Sequence, residues 1–146
     1  MAETDSMDAA EALARADGLR DAVNRRSRWL VRYQLAYGVT SFAMVLALGL
    51  FEGAAGVVVS MALWVPAIVA LTVYAARQPV AHRGMARSHG VMIGAWGVLY
   101  GAALAVGIPA FPGDLAWWLP AAAAVSAPGL ASAWLTSRRT APRAAW

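Results

Sequence analysis

The sequence predicts an all-α fold, a bundle of four transmembrane helices preceded by an amphipathic cytoplasmic helix. The chain of 146 residues is 60% hydrophobic and only 14% charged, which is more apolar surface than a soluble domain of this size can bury. Its twelve basic residues are all arginine and lie in three patches, at residues 15–32, 77–87 and 138–143. The apolar tract between the first and last patches divides into four stretches, each long enough to cross about 30 Å of hydrocarbon.

Residues 1–32 are predicted to form a cytoplasmic arm. Apolar side chains between residues 9 and 30 recur at helical spacing and form one narrow stripe. Acids crowd the first turns and arginines the last, which suits the helix dipole, and Glu11 with Arg15 is a favourable i,i+4 pair. Two interpretations of the arm stay open: a solvated helix that leads into the membrane, or a docking surface for a partner or a second copy.

Interfacial anchors are predicted where the arm enters the membrane and at both edges of the fourth span. Arginine side chains reach lipid headgroups, and tryptophan prefers the boundary between hydrocarbon and water. The predicted anchor residues are Arg28, Trp29, Arg32, Trp117, Trp118 and Trp134.

Residues 33–136 are predicted to form the transmembrane domain, which starts with a helical hairpin. The first span covers about residues 34–51 and the second about residues 57–76, with Glu52 in a tight external turn between them. Pro66 lies near the middle of the second span, where it predicts a kink because proline removes a backbone hydrogen bond.

The third span, about residues 91–108, is predicted to be the central packing helix. Its small residues recur at helical spacing, and small residues let backbones approach closely in a membrane, where no hydrophobic effect drives helices together. Val45 of the first span is taken as a lipid-facing position for comparison. The predicted helix-packing residues are Gly90, Gly94, Gly97, Gly101 and Ala105.

The fourth span, about residues 115–136, follows a second external turn that contains Asp114. Pro120 lies in its first turn, where proline is tolerated, whereas Pro128-Gly129 lies deeper and predicts that the helix bends or breaks there. Residues 137–146 are predicted to form a basic cytoplasmic tail.

The loop at residues 77–89 decides the predicted topology. It contains three arginines and no acid, and basic loops between apolar spans stay on the cytoplasmic side. The two turns on the opposite side contain Glu52 and Asp114 and no arginine. Four spans with both termini in the cytoplasm satisfy this pattern. Because all-arginine basicity with many alanines and glycines is typical of high-GC bacteria, a multi-pass protein of the bacterial plasma membrane is predicted.

Residues with catalytic potential are sparse. No Asp, Glu, Lys, Arg or His lies inside a span, and ionisable residues mark ion paths and catalytic centres in membranes. The chain has no cysteine, which excludes disulfides and thiolate metal sites. His82 and His89 are interpreted as solvated loop residues, so no catalytic residue, metal or cofactor is predicted. Trp64, Trp96 and Tyr100 are interpreted as gap fillers in a glycine-rich bundle, with a lipid or quinone pocket as the alternative.

The chain combines an acidic and arginine-rich first helix, the entry Arg28-Trp29-Leu30-Val31-Arg32-Tyr33, two helical hairpins and an arginine-rich tail. This layout resembles small four-span membrane proteins of unassigned function that are common in actinobacteria. The resemblance covers nearly the whole chain. It implies the four-span topology and brings no catalytic residues with it.

The leading functional hypothesis is a non-enzymatic membrane protein that acts by association, as an accessory or regulatory subunit. Its predicted partners are the lipid bilayer and a second copy of the chain, with an unidentified protein as the alternative to the second copy. No nucleic-acid partner is predicted, because the arginines follow membrane topology rather than a phosphate-tracking stripe. Two alternatives stay open: an oligomeric small-molecule transporter or channel, and a membrane enzyme that acts on a lipid or isoprenoid.

Overall fold

The structure, a computed structural model, describes residues 11–16, 18–19, 22, 28–78 and 85–140. These residues are helical apart from short turns, and none of them lies in a strand. The predicted all-α fold is therefore confirmed. Four long helices contain most of the described residues: α1 at Arg28–Leu50, α2 at Gly53–Ala76, α3 at Met85–Ala110 and α4 at Leu115–Thr140.

The N-terminal arm is described only in part. Residues 11–16 are helical, and Arg15 Nη2 lies 2.9 Å from Glu11 Oε1, which is the predicted i,i+4 ion pair. Both side chains are exposed, so the pair contributes only about 0.3–0.5 kcal/mol to helix stability. Much of the predicted apolar stripe of the arm lies outside the described residues.

The helices extend beyond the predicted spans. α1 begins at Arg28 and α3 at Met85, so the arginine-rich entry and the last residues of the predicted basic loop are helical. α4 continues to Thr140, past the predicted start of the tail, and the helix is not interrupted at Pro128. A helix satisfies its own backbone hydrogen bonds, which favours it wherever the chain enters hydrocarbon. His82 lies outside the described residues.

Within the described part of the chain, three helices are able to cross a membrane by their length and composition: α1, α2 and residues Ala86–Ala110 of α3. These apolar helices are what a multi-pass membrane protein requires. α4 has 26 residues but is not among the three, since its prolines, serines and tryptophans interrupt its apolar sequence.

Helices that follow one another run antiparallel. The first turn of α1 contacts the last turns of α2, where the ring centroids of Trp29 and Tyr74 lie 6.3 Å apart. At the other end of the bundle, the last turn of α1 lies against the first turn of α4, where the Trp118 ring occupies the space beside Gly49.

α1 is the central helix. It has its most extensive contact with α4 and a smaller one with α2, whereas α3 contacts mainly α4. The backbones of α2 and α3 barely approach each other, although the two helices are consecutive. The helices are thus ordered α2, α1, α4, α3. The prediction that the third span is the central helix is wrong.

The contact between α1 and α4 is close because glycine lies on both sides of it. A methyl group placed on Gly129 of α4 would lie 3.1 Å from the Gly38 Cα of α1. Further along, the Trp118 ring takes the space that a side chain at position 49 would need. Backbones approach this closely in membranes only where side chains are small.

The largest buried cluster lies between α1, α3 and α4. A hydrogen bond from a serine side chain connects α2 to α1 beside this cluster. Ser60 Oγ of α2 donates a hydrogen bond of 3.0 Å to the Met44 carbonyl of α1. Val45 is 0% exposed, so the expectation that it faces lipid is wrong. It follows Gly38 by two helical turns and therefore lies on the same face of α1. The cluster consists of Met44, Val45, Ala103, Trp118, Ala122 and Val125.

The turns that close the two hairpins meet at one end of the bundle, here termed the acidic end. Gly113 adopts a φ of 69°, which favours glycine, and Glu52 Oε1 lies where a side chain at position 113 would be. Asp114 Oδ1 accepts a hydrogen bond of 2.9 Å from Ala116 N and so caps α4. The opposite end, termed the arginine end, carries the exposed residues Arg28, Arg32, Arg77, Arg87 and Arg138.

The close contact between α1 and α4 predicts opposite effects for the same substitution at two helical glycines. Gly129→Ala pushes a methyl group against the Gly38 backbone, which cannot move aside as a side chain can, and should destabilise the protein by about 1–3 kcal/mol. Gly97→Ala adds a methyl group with no atom within 4 Å and should be neutral or stabilising, by up to about 1 kcal/mol. Reversible unfolding in detergent measures both. Equal effects would contradict the described packing.

Candidate functional site

Aromatic side chains fill the space between α2 and α3. Trp64 of α2 stacks on Trp96 of α3, with ring centroids 5.2 Å apart and planes 4° from parallel. Trp96 also stacks on Tyr100, at 5.0 Å and 10°. Tyr37 of α1 meets Trp64 and Trp96 edge-on, at 5.4 and 5.9 Å. These four residues, termed the aromatic cluster, connect three helices.

The rings continue from the aromatic cluster towards the arginine end. Tyr33 stacks on Tyr37 at 6.5 Å and contacts the His89 ring at 5.7 Å. His89 is therefore a half-buried residue of α3, and its interpretation as a solvated loop residue is wrong. The sequence missed this because α3 starts earlier than its apolar segment does.

The aromatic cluster holds α3 against α1 and α2 through side chains. Each aromatic pair adds about 0.5–1.5 kcal/mol beyond the area it buries. The rings stack on one another, as expected of gap fillers. Trp96 Nε1 is buried and has no acceptor among the described residues.

The glycines of α3 lie on a face of the helix that is separate from the aromatic cluster. A methyl group placed on Gly90, Gly94, Gly97 or Gly101 would meet nothing within 4 Å, and Ala105 is exposed as well. These five residues are termed the glycine face. None of them packs against a described helix of the same chain, so their predicted packing role stays a prediction that concerns a neighbour in the membrane.

A groove of 370 Å³ lies between α1 and α2 near the arginine end. Its polar residues lie towards that end, and its alanines and leucine lie deeper in the bundle. The sequence offered no signal for this groove, because it depends on how two apolar helices separate. The residues that line it are Arg32, Tyr33, Ala36, Ala70, Leu71 and Tyr74.

Two of the predicted interfacial anchors are core residues. Trp118 is 2% exposed, and its Nε1 donates a hydrogen bond of 2.9 Å to the Phe111 carbonyl. Trp29 is 8% exposed and contacts the ring of Tyr33. The burial of these two rings keeps them from serving as a lipid-facing belt. Tryptophan is equally suited to both environments, which is why composition alone could not separate them.

The other four predicted anchors are accessible. Trp134 is exposed, with the Arg138 guanidinium 3.9 Å above its ring, and Arg28 and Arg32 are exposed. Trp117 is half-buried and stacks on Phe111 at 4.9 Å. Their anchoring role stays a prediction.

One buried glutamine was not predicted from the sequence. Gln34 lies at the predicted edge of the first span, yet it is 4% exposed and its Oε1 has no hydrogen-bond partner among the described residues. The backbone carbonyl oxygen of Gln34 lies close to Gly129 of α4. Polar residues within spans face the bundle interior, so Gln34 was an available signal for the inward face of α1.

Comparisons with known proteins identify no relative. No protein-family model, no curated protein and no solved structure matches the chain. The resemblance to small four-span proteins of actinobacteria therefore stays a prediction, and functional inference depends on the geometry described above.

The stacking of Trp64 on Trp96 predicts energetic coupling between these residues. In a double-mutant cycle, Trp64→Leu and Trp96→Leu should be coupled by about 0.5–1.5 kcal/mol, because each change removes the same ring pair. Unfolding in detergent measures the cycle. Trp134 serves as the control, since its described partner is Arg138: Trp64→Leu and Trp134→Leu should be additive within about 0.5 kcal/mol. Additivity in both cycles would contradict the bridging role.

Proposed function

We propose that the chain is a four-span protein of the bacterial plasma membrane that acts by association, as an accessory or regulatory subunit. Both termini and the arginine end lie in the cytoplasm, and the acidic end lies outside. The proposal has two parts, a topology and a mode of action, and separate observations support them.

The position of α4 beside α1 supports the fourth span. α1 is apolar enough to cross a membrane, and its contacts with α4 run from Gly38 beside Gly129 to Gly49 beside Trp118. The α1 part of this contact covers the twelve residues 38–49, which extend over roughly 16 Å at the rise of an α-helix. α4 also has 26 residues, which is enough to cross about 30 Å of hydrocarbon, so its packing against α1 supports the proposal of a fourth span. The arginines at one end orient the bundle by the positive-inside rule.

Cysteine accessibility tests the topology without background, because the chain has no native cysteine. In inverted and right-side-out vesicles, Arg87→Cys and Arg138→Cys should react from the cytoplasmic side, and Pro112→Cys from the outside. All three positions are exposed at helix ends or in a turn. Labelling of Arg138→Cys from the same side as Pro112→Cys would show that α4 does not cross.

The glycine face carries the proposal that the protein acts by association. It is exposed and lies on the helix whose backbone has the least extensive contact with the other described helices. Small residues at this spacing form the contact surface of associating transmembrane helices, where backbones approach and side chains interdigitate. Among the described features, this surface offers the best geometry for a neighbouring helix in the membrane.

A second copy of the chain is the partner that we propose packs against the glycine face. Closed dimers are the commonest assemblies, and they use the same patch on both subunits. The glycine face suits this symmetry, because a flat stripe of small residues is complementary to itself when two helices cross. A helix of another membrane protein is the alternative occupant.

The dimer proposal predicts that bulky residues on the glycine face weaken association without unfolding the chain. Gly97→Leu and Gly101→Leu should each cost about 1–3 kcal/mol of contact energy, which raises the dimer dissociation constant about 5- to 150-fold. Energy transfer between labelled copies in liposomes, measured against the protein-to-lipid ratio, gives this constant. Helix content by circular dichroism should stay unchanged.

Ala102→Leu is the matched control, since Ala102 is exposed on α3 but lies off the glycine face. It should leave association unchanged. Equal weakening by Ala102→Leu would contradict the assignment of the contact to the glycine face. A wild-type chain that stays monomeric at high protein-to-lipid ratio would exclude the second copy as the occupant.

A further inference from the structure

The groove between α1 and α2 has a polar mouth and an apolar floor. Arg32 and Tyr74 lie at the arginine end of the groove, whereas Ala36 and Ala70 lie about one helical turn deeper in the antiparallel pair. Its volume of 370 Å³ falls in the range of about 300–1,000 Å³ that is typical of ligand sites. The polar and apolar parts of the groove therefore follow each other as they do in a lipid molecule, with a place for a headgroup at the mouth and a place for an acyl chain below it.

The charge at the mouth is not neutralised within the described part of the chain. Arg32 is exposed, and the ion pair of the described residues joins Glu11 to Arg15 instead. Arg77 follows Tyr74 by one turn at the end of α2 and is also exposed. On a helix, side chains lean towards the N-terminus, so Arg32 leans out of the hydrocarbon, towards the level of the phosphates.

The walls below the mouth are suited to an acyl chain. Ala36 and Ala70 are exposed, and Leu71 is buried at the back of the groove. Two alanines opposite each other leave a channel that larger side chains would close. An acyl chain that enters this channel fills apolar space on a surface that already faces lipid.

We propose that this groove binds one anionic glycerophospholipid from the leaflet at the arginine end. Its phosphate pairs with the Arg32 guanidinium, and one acyl chain lies against Ala36, Ala70 and Leu71. Basic pockets between transmembrane helices are established sites for anionic headgroups, and guanidinium matches phosphate in shape and charge. The bound lipid contacts both α1 and α2, because the residues that line the groove come from these two helices.

Native mass spectrometry of the full-length protein in mild detergent tests the proposal. With dioleoylphosphatidylglycerol added, the wild-type chain should retain one lipid, and with dioleoylphosphatidylcholine it should retain little. Arg32→Gln should lower phosphatidylglycerol occupancy roughly fivefold, the effect expected for one arginine at an anionic membrane surface. Ala70→Leu should lower it as well, because the added side chain fills the groove without a change in charge.

Matched controls separate a site from general attraction. Arg28→Gln removes the same charge from the same helix outside the groove and should leave the retained lipid in place. Ala102→Leu adds the same bulk at an exposed alanine of α3 and should also have no effect. The proposal is overturned if Arg28→Gln acts as strongly as Arg32→Gln, if Ala70→Leu has no effect, or if phosphatidylcholine is retained equally. Displacement of the lipid by glycerol phosphate would overturn the acyl-chain contact, since a free phosphate would then suffice.

Discussion

The backbone contact between α1 and α4 is the interaction on which the rest of the bundle depends. In hydrocarbon, lipid tails are as apolar as the side chains, so helices associate only through close packing and polar contacts. Gly38 and Gly129 bring the two backbones together, and the space beside Gly49 accepts the Trp118 ring. With α1 and α4 fixed, α2 packs beside α1 and α3 packs beside α4. Side chains of α2 and α3 then meet where their backbones stay apart.

The connection between α2 and α3 uses a different principle. Their backbones stay apart, and stacked Trp64 and Trp96 rings bridge the gap together with Tyr37 of α1. Large aromatic rings thus connect helices whose backbones are distant, and glycines allow close contact between helices whose backbones are near each other. The bundle is tight along α1 and α4 and depends on side chains elsewhere, which leaves room for the groove beside Arg32.

The number of helices, their approximate bounds and their turns could be predicted from the sequence. These features follow from apolar length and from the positions of arginines and acids, which can be read along the chain. The face of each helix that points into the bundle could not be predicted in the same way. α1 and α3 are apolar on almost every side within their spans, so the pattern gives no inward face, and Val45 was assigned to lipid although it is buried. Polar residues supplied the missing signal: Gln34 and Ser41 are buried and both mark the inward face of α1.

For the candidate site, the residues that take part could be selected from the sequence, but the surroundings of some of them could not. Trp64, Trp96 and Tyr100 were selected as gap fillers and do lie together. Trp118 was selected for the membrane boundary, yet it is buried against Gly49. A ring near the end of a helix suits either place, and only the neighbouring helix decides between them.

The conformational cost of the glycines provides a physical argument for a contact outside the chain. A glycine inside a helix lowers its stability by roughly 0.5–1 kcal/mol relative to alanine, because glycine loses more backbone freedom on folding. At Gly38 and Gly129 this cost is matched by a close approach that alanine would prevent. At Gly90, Gly94, Gly97 and Gly101 nothing in the described chain lies within 4 Å to match it. Four such residues on one face cost about 2–4 kcal/mol together, and the neighbouring helix proposed for that face would offset this cost.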